Sequence, residues 1–158
     1  MERQMSKLKL GLIGKPLGHS WSPEIHKYLT GADYKLWEID EGELPDFMKR
    51  RDFDGINVTI PYKTAVIEYL NEIDEAAGRM GAVNCIVNRE GRLTGYNTYY
   101  IGLLKMMKRM DTADKACGGT AAILGTGGAS KAAEEACRKL GIEFEKVSRS
   151  EREGCITY

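Results

Sequence analysis

The fold is most strongly constrained by the stretch Gly55-Ile56-Asn57-Val58-Thr59-Ile60-Pro61-Tyr62-Lys63. Its first four residues predict a short buried strand that stops before Pro61, because proline has no N–H donor and disfavours helical backbone in the preceding residue. Three polar side chains lie at or just beyond the end of this strand: Asn57, Thr59 and Lys63. Open α/β sheets bind ligands outside the carboxyl ends of their strands, so these groups predict a binding site. The alternative is a solvent-exposed turn, since most lysines are exposed.

The composition argues against a protein whose main partner is nucleic acid or a membrane. The 158 residues include 23 Lys and Arg and 23 Asp and Glu, so there is no basic excess. No apolar run approaches the length of a membrane span, and residues 1–9 lack a signal-peptide core. We therefore expect a cytoplasmic protein. With two histidines and no CxxC pair, we expect no metal site and free thiols at Cys85, Cys117, Cys137 and Cys155.

Two serines follow the first predicted strand, which covers residues 8–13. The loop after it is rich in Gly and Pro and leads to Ser22-Pro23, a pattern typical of a helix N-cap followed by proline at the first helical position. Capping alone accounts for Ser22. It does not require the second hydroxyl at Ser20, so the two serines together could bind a carboxylate or several hydroxyl groups.

The next hundred residues alternate between predicted strands and helices. Asn84 lies in an otherwise apolar strand, where its amide needs hydrogen-bonding partners or must face a cavity, and a buried structural asparagine is the alternative. Glu90-Gly91 predicts the turn of a hairpin. The predicted strands are 34–39, 55–58, 82–87 and 92–95, and the predicted helices are 23–30, 44–51, 64–70, 73–80 and 99–110, the last capped by Asn97 or Thr98.

The last part of the chain predicts a βαβ unit, with a domain boundary at residues 111–119. A strand at 120–124 leads into a glycine loop, a helix at 129–140 and a strand at 142–147. In a dinucleotide site Gly125 would make the tight turn, and Gly127 would let the backbone approach a pyrophosphate at the helix N-terminus. Ser130 occupies the third glycine position, which departs from the strict fingerprint.

The second strand of this unit is followed by a cation and two hydroxyls rather than by an acidic residue. Such groups suit the 2′-phosphate of NADP better than the ribose hydroxyl of NAD. The alternative is a βαβ turn that binds nothing. The predicted cofactor-binding residues are Gly125, Thr126, Gly127, Gly128 and Ala129 from the loop, and Ser148, Arg149 and Ser150 after the strand.

Several separated motifs together resemble the shikimate dehydrogenase family, which reduces 3-dehydroshikimate to shikimate with NADPH. They are Gly14-Lys15-Pro16-Leu17-Gly18-His19-Ser20-Trp21-Ser22-Pro23, Asn57-Val58-Thr59-Ile60-Pro61-Tyr62-Lys63, Gly81-Ala82-Val83-Asn84, Gly95-Tyr96-Asn97-Thr98 and Gly125-Thr126-Gly127-Gly128-Ala129. They stand in the family's order over residues 8–150. The expected fold is α/β: a mainly parallel open sheet forms the substrate-binding domain (residues 1–110), and an incomplete Rossmann-like βαβ unit forms a partial NADP-binding domain (111–158).

The resemblance also assigns roles to particular residues. Lys63 would be the catalytic lysine that handles the proton while hydride moves between NADP and the substrate. Ser20 and Ser22 would hold the substrate carboxylate. Ring substituents would be bound by Thr59, Asn84 and Asn97, with Tyr99 next to them in the substrate site.

Tyr99 departs from the family pattern, which has an aspartate after the Asn-Thr pair. A phenol is neutral near pH 7, so Lys63 would lose a counter-charge and the substrate an anionic acceptor. The tyrosine could instead pack at the start of its helix. We expect the substitution to impair catalysis.

The chain is also shorter than members of the family, and from this we expect either a fragment or self-association through the incomplete cofactor domain. The alternatives to an active enzyme are a non-catalytic shikimate-binding remnant or interaction protein, and an enzyme acting on quinate.

Overall fold

The computed structural model describes residues 8–111 and 120–157. One compact unit extends to Tyr96 and a second begins at Asn97. Residues 112–119, which contain most of the predicted domain boundary and the predicted free thiol Cys117, lie outside the described residues. The assignment of a substrate domain to 1–110 and a cofactor domain to 111–158 therefore stays a prediction.

The first unit is built on a six-stranded sheet in the order β2-β1-β3-β5-β6-β4. Parallel pairing joins β1 to β2, β1 to β3 and β4 to β6, whereas β5 runs antiparallel to both β3 and β6. This arrangement confirms the predicted α/β class. The strands are β1 (Leu10–Gly14), β2 (Tyr34–Glu38), β3 (Gly55–Val58), β4 (Glu72–Ile73), β5 (Cys85–Arg89) and β6 (Arg92–Tyr96).

One face of this sheet carries the core of the first unit. Side chains alternate between the faces of a strand, so Ile56 and Val58 of β3 point into the core while Asn57 points to the other face. The core-facing residues meet apolar side chains from the helices, among them Phe47, Met48 and Ala77. The helices of this unit are α1 (Ser22–Thr30), α2 (Leu44–Arg50) and α3 (Glu75–Met80).

Two predicted helices are wrong in part. Residues 64–70 form a 3₁₀ helix, Ala65–Tyr69, in which the Leu70 N–H donates to the Ile67 carbonyl rather than one residue further back. The segment predicted as a helix over 73–80 begins instead with strand β4. Its helix starts only after Asp74, whose carboxylate accepts hydrogen bonds from the N–H groups of Ala76 and Ala77.

The predicted hairpin is confirmed. Arg89 pairs with Arg92, which leaves a two-residue loop between β5 and β6. Both loop residues have positive φ, 54° at Glu90 and 83° at Gly91, as hairpin turns that match the strand twist require.

The second unit contains α4 (Thr98–Asp111), β7 (Ala121–Leu124), α5 (Gly128–Leu140), β8 (Phe144–Ser148) and β9 (Ile156–Thr157). Its three strands are parallel in the order β7-β8-β9, so the predicted βαβ unit is present with one strand more than expected. Among the described residues no helix has the length and apolar character needed to cross a bilayer.

Candidate functional site

The loops that follow β1 and β3 are joined by backbone hydrogen bonds at the carboxyl ends of these strands. Thr59 N–H donates to the Ile13 carbonyl and Lys15 N–H to the Ile60 carbonyl, each at 3.0 Å. A Cβ on Gly14 would lie 2.3 Å from the Thr59 methyl carbon, so only glycine lets the two loops approach this closely. The predicted site segment 59–63 is thus held directly against the end of β1.

Lys63 and Asn84 are predicted site residues that the backbone brings onto neighbouring segments. The Val83 N–H donates to the Lys63 carbonyl at 2.8 Å, and the Asn84 carbonyl accepts from the Val58 N–H at 3.0 Å. The Asn84 residue is only 7% exposed, while Lys63 is half-buried. Both residues therefore lie next to the end of β3, as the prediction requires, although their roles stay predictions.

Ser20 and Ser22 are close neighbours at the entrance to α1. The Ser22 N–H donates to the Ser20 Oγ at 3.3 Å, and the Ser20 N–H donates to the carbonyl of buried Leu17 at 2.9 Å. The alternative that Ser22 is only a helix cap is wrong, because Trp21 occupies the N-cap position and makes no side-chain cap. Ser22 itself lies in the first turn of the helix, where capping does not use its hydroxyl.

Two aromatic residues beside the serines were missed by the sequence analysis. The Tyr34 hydroxyl donates to the Asn57 Oδ1 at 2.7 Å, and the His26 ring stacks on the Tyr34 ring with centroids 4.1 Å apart. Burial raises the pKa of the Tyr34 phenol and lowers the pKa of His26. The one sequence signal was spacing, since His26 lies one helical turn after Ser22.

Asn97 and Tyr99 stand at the start of α4, in the second unit. The Asn97 Oδ1 accepts the Tyr99 N–H at 3.2 Å, which confirms Asn97 as the predicted cap of this helix. Asn97 is 4% exposed and Tyr99 is 55% exposed. The predicted contacts of both side chains with a substrate stay predictions.

The glycine loop of the second unit has the backbone expected of a phosphate-binding turn. Gly125 has a φ of 106°, which only glycine adopts readily, and its N–H donates to the Val147 carbonyl at 2.8 Å. Nothing lies within 4 Å of the position of a Cβ on Gly127 or Gly128, so the N-terminus of α5 is open on this side. Ser130, at the third glycine position, donates from its hydroxyl to the Gly127 carbonyl at 2.7 Å.

A cavity of about 520 Å³ brings the glycine loop together with the residues after β8. Ser148 is buried, and its Oγ accepts the Ser150 N–H at 3.4 Å. Arg152 lines the same cavity but was not predicted, although it lies only three residues after Arg149. Within the described part of the chain neither arginine forms an ion pair. The lining residues are Leu124, Gly125, Thr126, Gly127, Val147, Ser148, Arg149, Ser150 and Arg152.

This cavity fits a nucleotide with an additional phosphate. The guanidinium-bearing residues Arg149 and Arg152 line it, and so does Gly127, the N-cap of α5, where a helix N-terminus would favour a phosphate group. From the predicted set, Gly128 and Ala129 are the first two residues of α5 rather than lining residues.

Comparison with known proteins gives one consistent result. Residues 12–86 match the shikimate dehydrogenase substrate binding domain. The NADP(+)-dependent shikimate dehydrogenase of Halothermothrix orenii is 46% identical over 133 residues, which is 78% of this chain and 45% of that protein.

Solved structures agree. The shikimate 5-dehydrogenase of Thermus thermophilus in complex with shikimate has a TM-score of 0.78 and 35% identity, over 90% of this chain and 57% of that one. The same enzyme in complex with NADP(H) and shikimate gives a TM-score of 0.76 over 90% of this chain and 56% of that one. The chain thus spans about half the length of the proteins that it matches.

Proposed function

Because this chain belongs to the shikimate dehydrogenase family, we propose that it takes part in the NADP-dependent interconversion of 3-dehydroshikimate and shikimate. The observation that carries the proposal is the hydrogen-bonded assembly of three segments at the ends of β1 and β3. Two of these segments bear the three groups: the hydroxyl of Thr59 and the amine of Lys63 follow β3, and the amide of Asn84 lies on the segment bonded to it. A small polyhydroxylated acid needs this combination of groups for binding and proton transfer.

In the first unit, the two serines at the start of α1 hold the substrate carboxylate. Their hydroxyl groups are neutral donors, so they can bind an anion without the cost of burying a charged side chain. Thr59 and Asn84 bind ring substituents. Lys63 carries the proton that the substrate oxygen gains or loses. Hydrogen bonds of its own carbonyl and of neighbouring Thr59 fix the backbone around it.

NADP fits the cavity of the second unit, and the bound cofactor supplies or accepts the hydride. The N–H groups at the start of α5 hold its pyrophosphate, and Gly125 makes the turn that brings them there. Arg149 and Arg152 hold the 2′-phosphate. The hydrogen bond from the Ser150 N–H to the Ser148 Oγ stabilises the backbone on either side of Arg149.

Tyr99 makes this chain a slow catalyst. It stands where the family pattern has an aspartate, so this position supplies no carboxylate for acid/base chemistry. Loss of such an acid/base partner costs about 10²- to 10⁴-fold in rate. Substrate binding loses one anionic acceptor but keeps its other polar groups, and cofactor binding needs no such partner.

Calorimetry with shikimate and with NADP⁺, followed by an assay of NADPH formation, tests the proposal. We expect binding of both compounds and slow turnover. The variant Arg149→Gln should bind NADP⁺ about ten- to a hundredfold more weakly and leave NAD⁺ affinity unchanged, because it loses charge-assisted hydrogen bonds to the 2′-phosphate. Lys105→Gln, at an exposed position of α4, is the matched control.

Each outcome separates the alternatives. Binding of both compounds without any turnover indicates a non-catalytic binding protein, and tighter binding of quinate than of shikimate indicates the related quinate activity. Binding of neither compound contradicts the proposed function.

A further inference from the structure

A second cavity lies in the first unit, and none of the residues predicted for the site lines it. It has a volume of about 260 Å³ and lies between β2, α2 and the residue that precedes β1. Liquid water occupies about 30 Å³ per molecule, so this volume equals that of roughly nine water molecules. We call it the basic cavity, because its lining combines the cations Lys9, Lys35 and Arg50 and the carboxylate of Asp52 with the aromatic residues Trp37 and Phe47.

The aromatic wall of the basic cavity is set by the face of β2 that α2 covers. Lys35 and Trp37 are alternate residues of β2, so their side chains leave the same face of the sheet. A Cβ on Gly11 of β1 would overlap a ring carbon of Trp37, so the indole extends over the neighbouring strand. The ring meets Phe47 of α2 edge to face, with centroids 5.4 Å apart and an interplanar angle of 63°. The indole is thereby held between β1 and α2.

The charges around the basic cavity leave two of its cations available to an anion. Lys9 forms an ion pair with Asp52, and its backbone N–H donates to the Asp54 carboxylate at 2.7 Å. Across residues 8–111 and 120–157, the side chains of Lys35 and Arg50 form neither an ion pair nor a hydrogen bond. Both residues are exposed, so an anion can reach them without breaking an existing ion pair.

We propose that the basic cavity binds a small aromatic carboxylate, a compound with one flat ring and one anionic group. The carboxylate lies against Arg50 and Lys35, because a guanidinium can hold both carboxylate oxygens and the ammonium adds a second charge. The ring lies against Trp37, where it buries apolar surface. An inorganic anion would use the two cations but leave the indole surface in contact with water. The inference does not rest on the proposed function.

Calorimetric titration with benzoate tests the proposal, with benzyl alcohol and acetate as matched compounds. Benzyl alcohol keeps the ring without the charge, and acetate keeps the charge without the ring. We expect benzoate to bind about tenfold more tightly than either, and added salt to weaken its binding because the cations are exposed. Acetate binding as tightly as benzoate would indicate a site for any anion, and benzyl alcohol doing so would indicate apolar contact alone. Either result overturns the proposal, and so does the absence of benzoate binding.

The variant Arg50→Gln tests where the carboxylate binds. It should weaken benzoate binding about three- to tenfold, because a charged donor is lost at an exposed position. Lys35→Gln provides an independent second test, and unchanged binding in both variants overturns the proposal. Lys49→Gln is the matched control, since Lys49 is the exposed neighbour of Arg50 on α2 but does not line the basic cavity. A loss in Lys49→Gln as large as in Arg50→Gln would indicate a general effect of surface charge and overturn the site.

The indole N–H signals of the two tryptophans in an NMR spectrum locate the bound ring. Trp21→Phe assigns them, because it removes the signal of Trp21, which lies between the two serines of the candidate site. Benzoate should shift the Trp37 signal and leave the Trp21 signal in place. A shift of Trp21 alone, or displacement of benzoate by excess shikimate, overturns the proposal. If shikimate itself does not bind, the proposed function fails, while the Trp37 signal and the Arg50→Gln variant still decide whether the basic cavity is a site.

Discussion

Gly14 shows at the scale of one residue how the site depends on close approach. It ends β1 with the Thr59 methyl carbon 2.3 Å from where a Cβ would lie. Gly18, a few residues later in the same loop, has nothing within 4 Å of the same position. The two glycines therefore differ in what a methyl group would meet, although both lie in the same loop region.

We predict that Gly14→Ala lowers the free energy of unfolding by about 1–3 kcal/mol, the usual effect of overpacking, whereas Gly18→Ala changes it little. Urea unfolding of both variants measures the difference. Equal stability of the two variants would show that the loops after β1 and β3 can separate without cost.

The second prediction at the residue scale concerns Tyr99. Changing Tyr99→Asp restores the carboxylate of the family pattern, so NADPH formation from shikimate should rise about 10²- to 10⁴-fold. Tyr99→Phe is the control, because it removes the hydroxyl without adding a charge. An unchanged rate in Tyr99→Asp would mean that this position does not limit the reaction.

At the scale of elements, helix ends are fixed by specific side chains. α3 begins after Asp74, whose Oδ1 accepts from Ala76 N–H at 3.0 Å and from Ala77 N–H at 3.3 Å. α1 begins without any side-chain cap and instead packs on β2 through the ring of His26. The stability of α3 should therefore depend on the carboxylate of Asp74, and that of α1 on the ring of His26.

Asp74→Ala should destabilise the protein by about 0.5–2 kcal/mol, because two N–H groups of α3 lose their acceptor. Asp74→Asn keeps an acceptor at the cap position and should recover most of this loss. Thermal unfolding of both variants measures the effect, and an equal loss in both would indicate that the charge rather than the cap matters.

His26 predicts a pH dependence of stability. Burial lowers its pKa from the ordinary value of 6.5, so the unfolded chain binds the proton at a higher pH than the folded chain. The contribution of neutral His26 to the free energy of unfolding is fully present above pH 6.5. It is lost as the pH falls through the lower pKa that His26 has in the folded chain. Urea unfolding between neutral and mildly acidic pH should show a steeper decline for the unmodified chain than for His26→Gln, and parallel declines would contradict the prediction.

At the scale of the whole chain, the sheet of the second unit has an exposed edge. β7 pairs only with β8 among the described residues, and both Ala122 and Leu124 on it are exposed. An uncovered edge strand can pair with another chain. Self-association through the incomplete cofactor domain, which the sequence analysis expects, stays a prediction.

We predict that the chain associates increasingly as its concentration rises, as sedimentation velocity would show. Ala122→Lys places a charge on the edge strand and should shift the chain towards monomer. Lys105→Gln, on α4, should not. A monomer at every concentration would contradict self-association through β7.

Local sequence patterns predicted those parts of the fold that are set within a few residues. The strand Gly55–Val58 was predicted with the bounds observed, and the loop at Glu90-Gly91 followed from turn chemistry. The short strand β9 was missed because two residues are too few to show the alternation of apolar and polar side chains that indicates a strand. The 3₁₀ helix at Ala65–Tyr69 has the same apolar spacing as an α-helix, so composition could not distinguish them.

For the candidate site, the sequence alone determined which residue types are available and on which loops they lie, because motifs such as the glycine loop act through the backbone next to them. Only the tertiary structure decided that Tyr34 meets Asn57 and that Arg152 shares a cavity with Gly125. The first contact depends on the register of three strands and the second on how β8 packs beside β7. Register and packing arise from burial of the whole sheet, which no local stretch of sequence encodes.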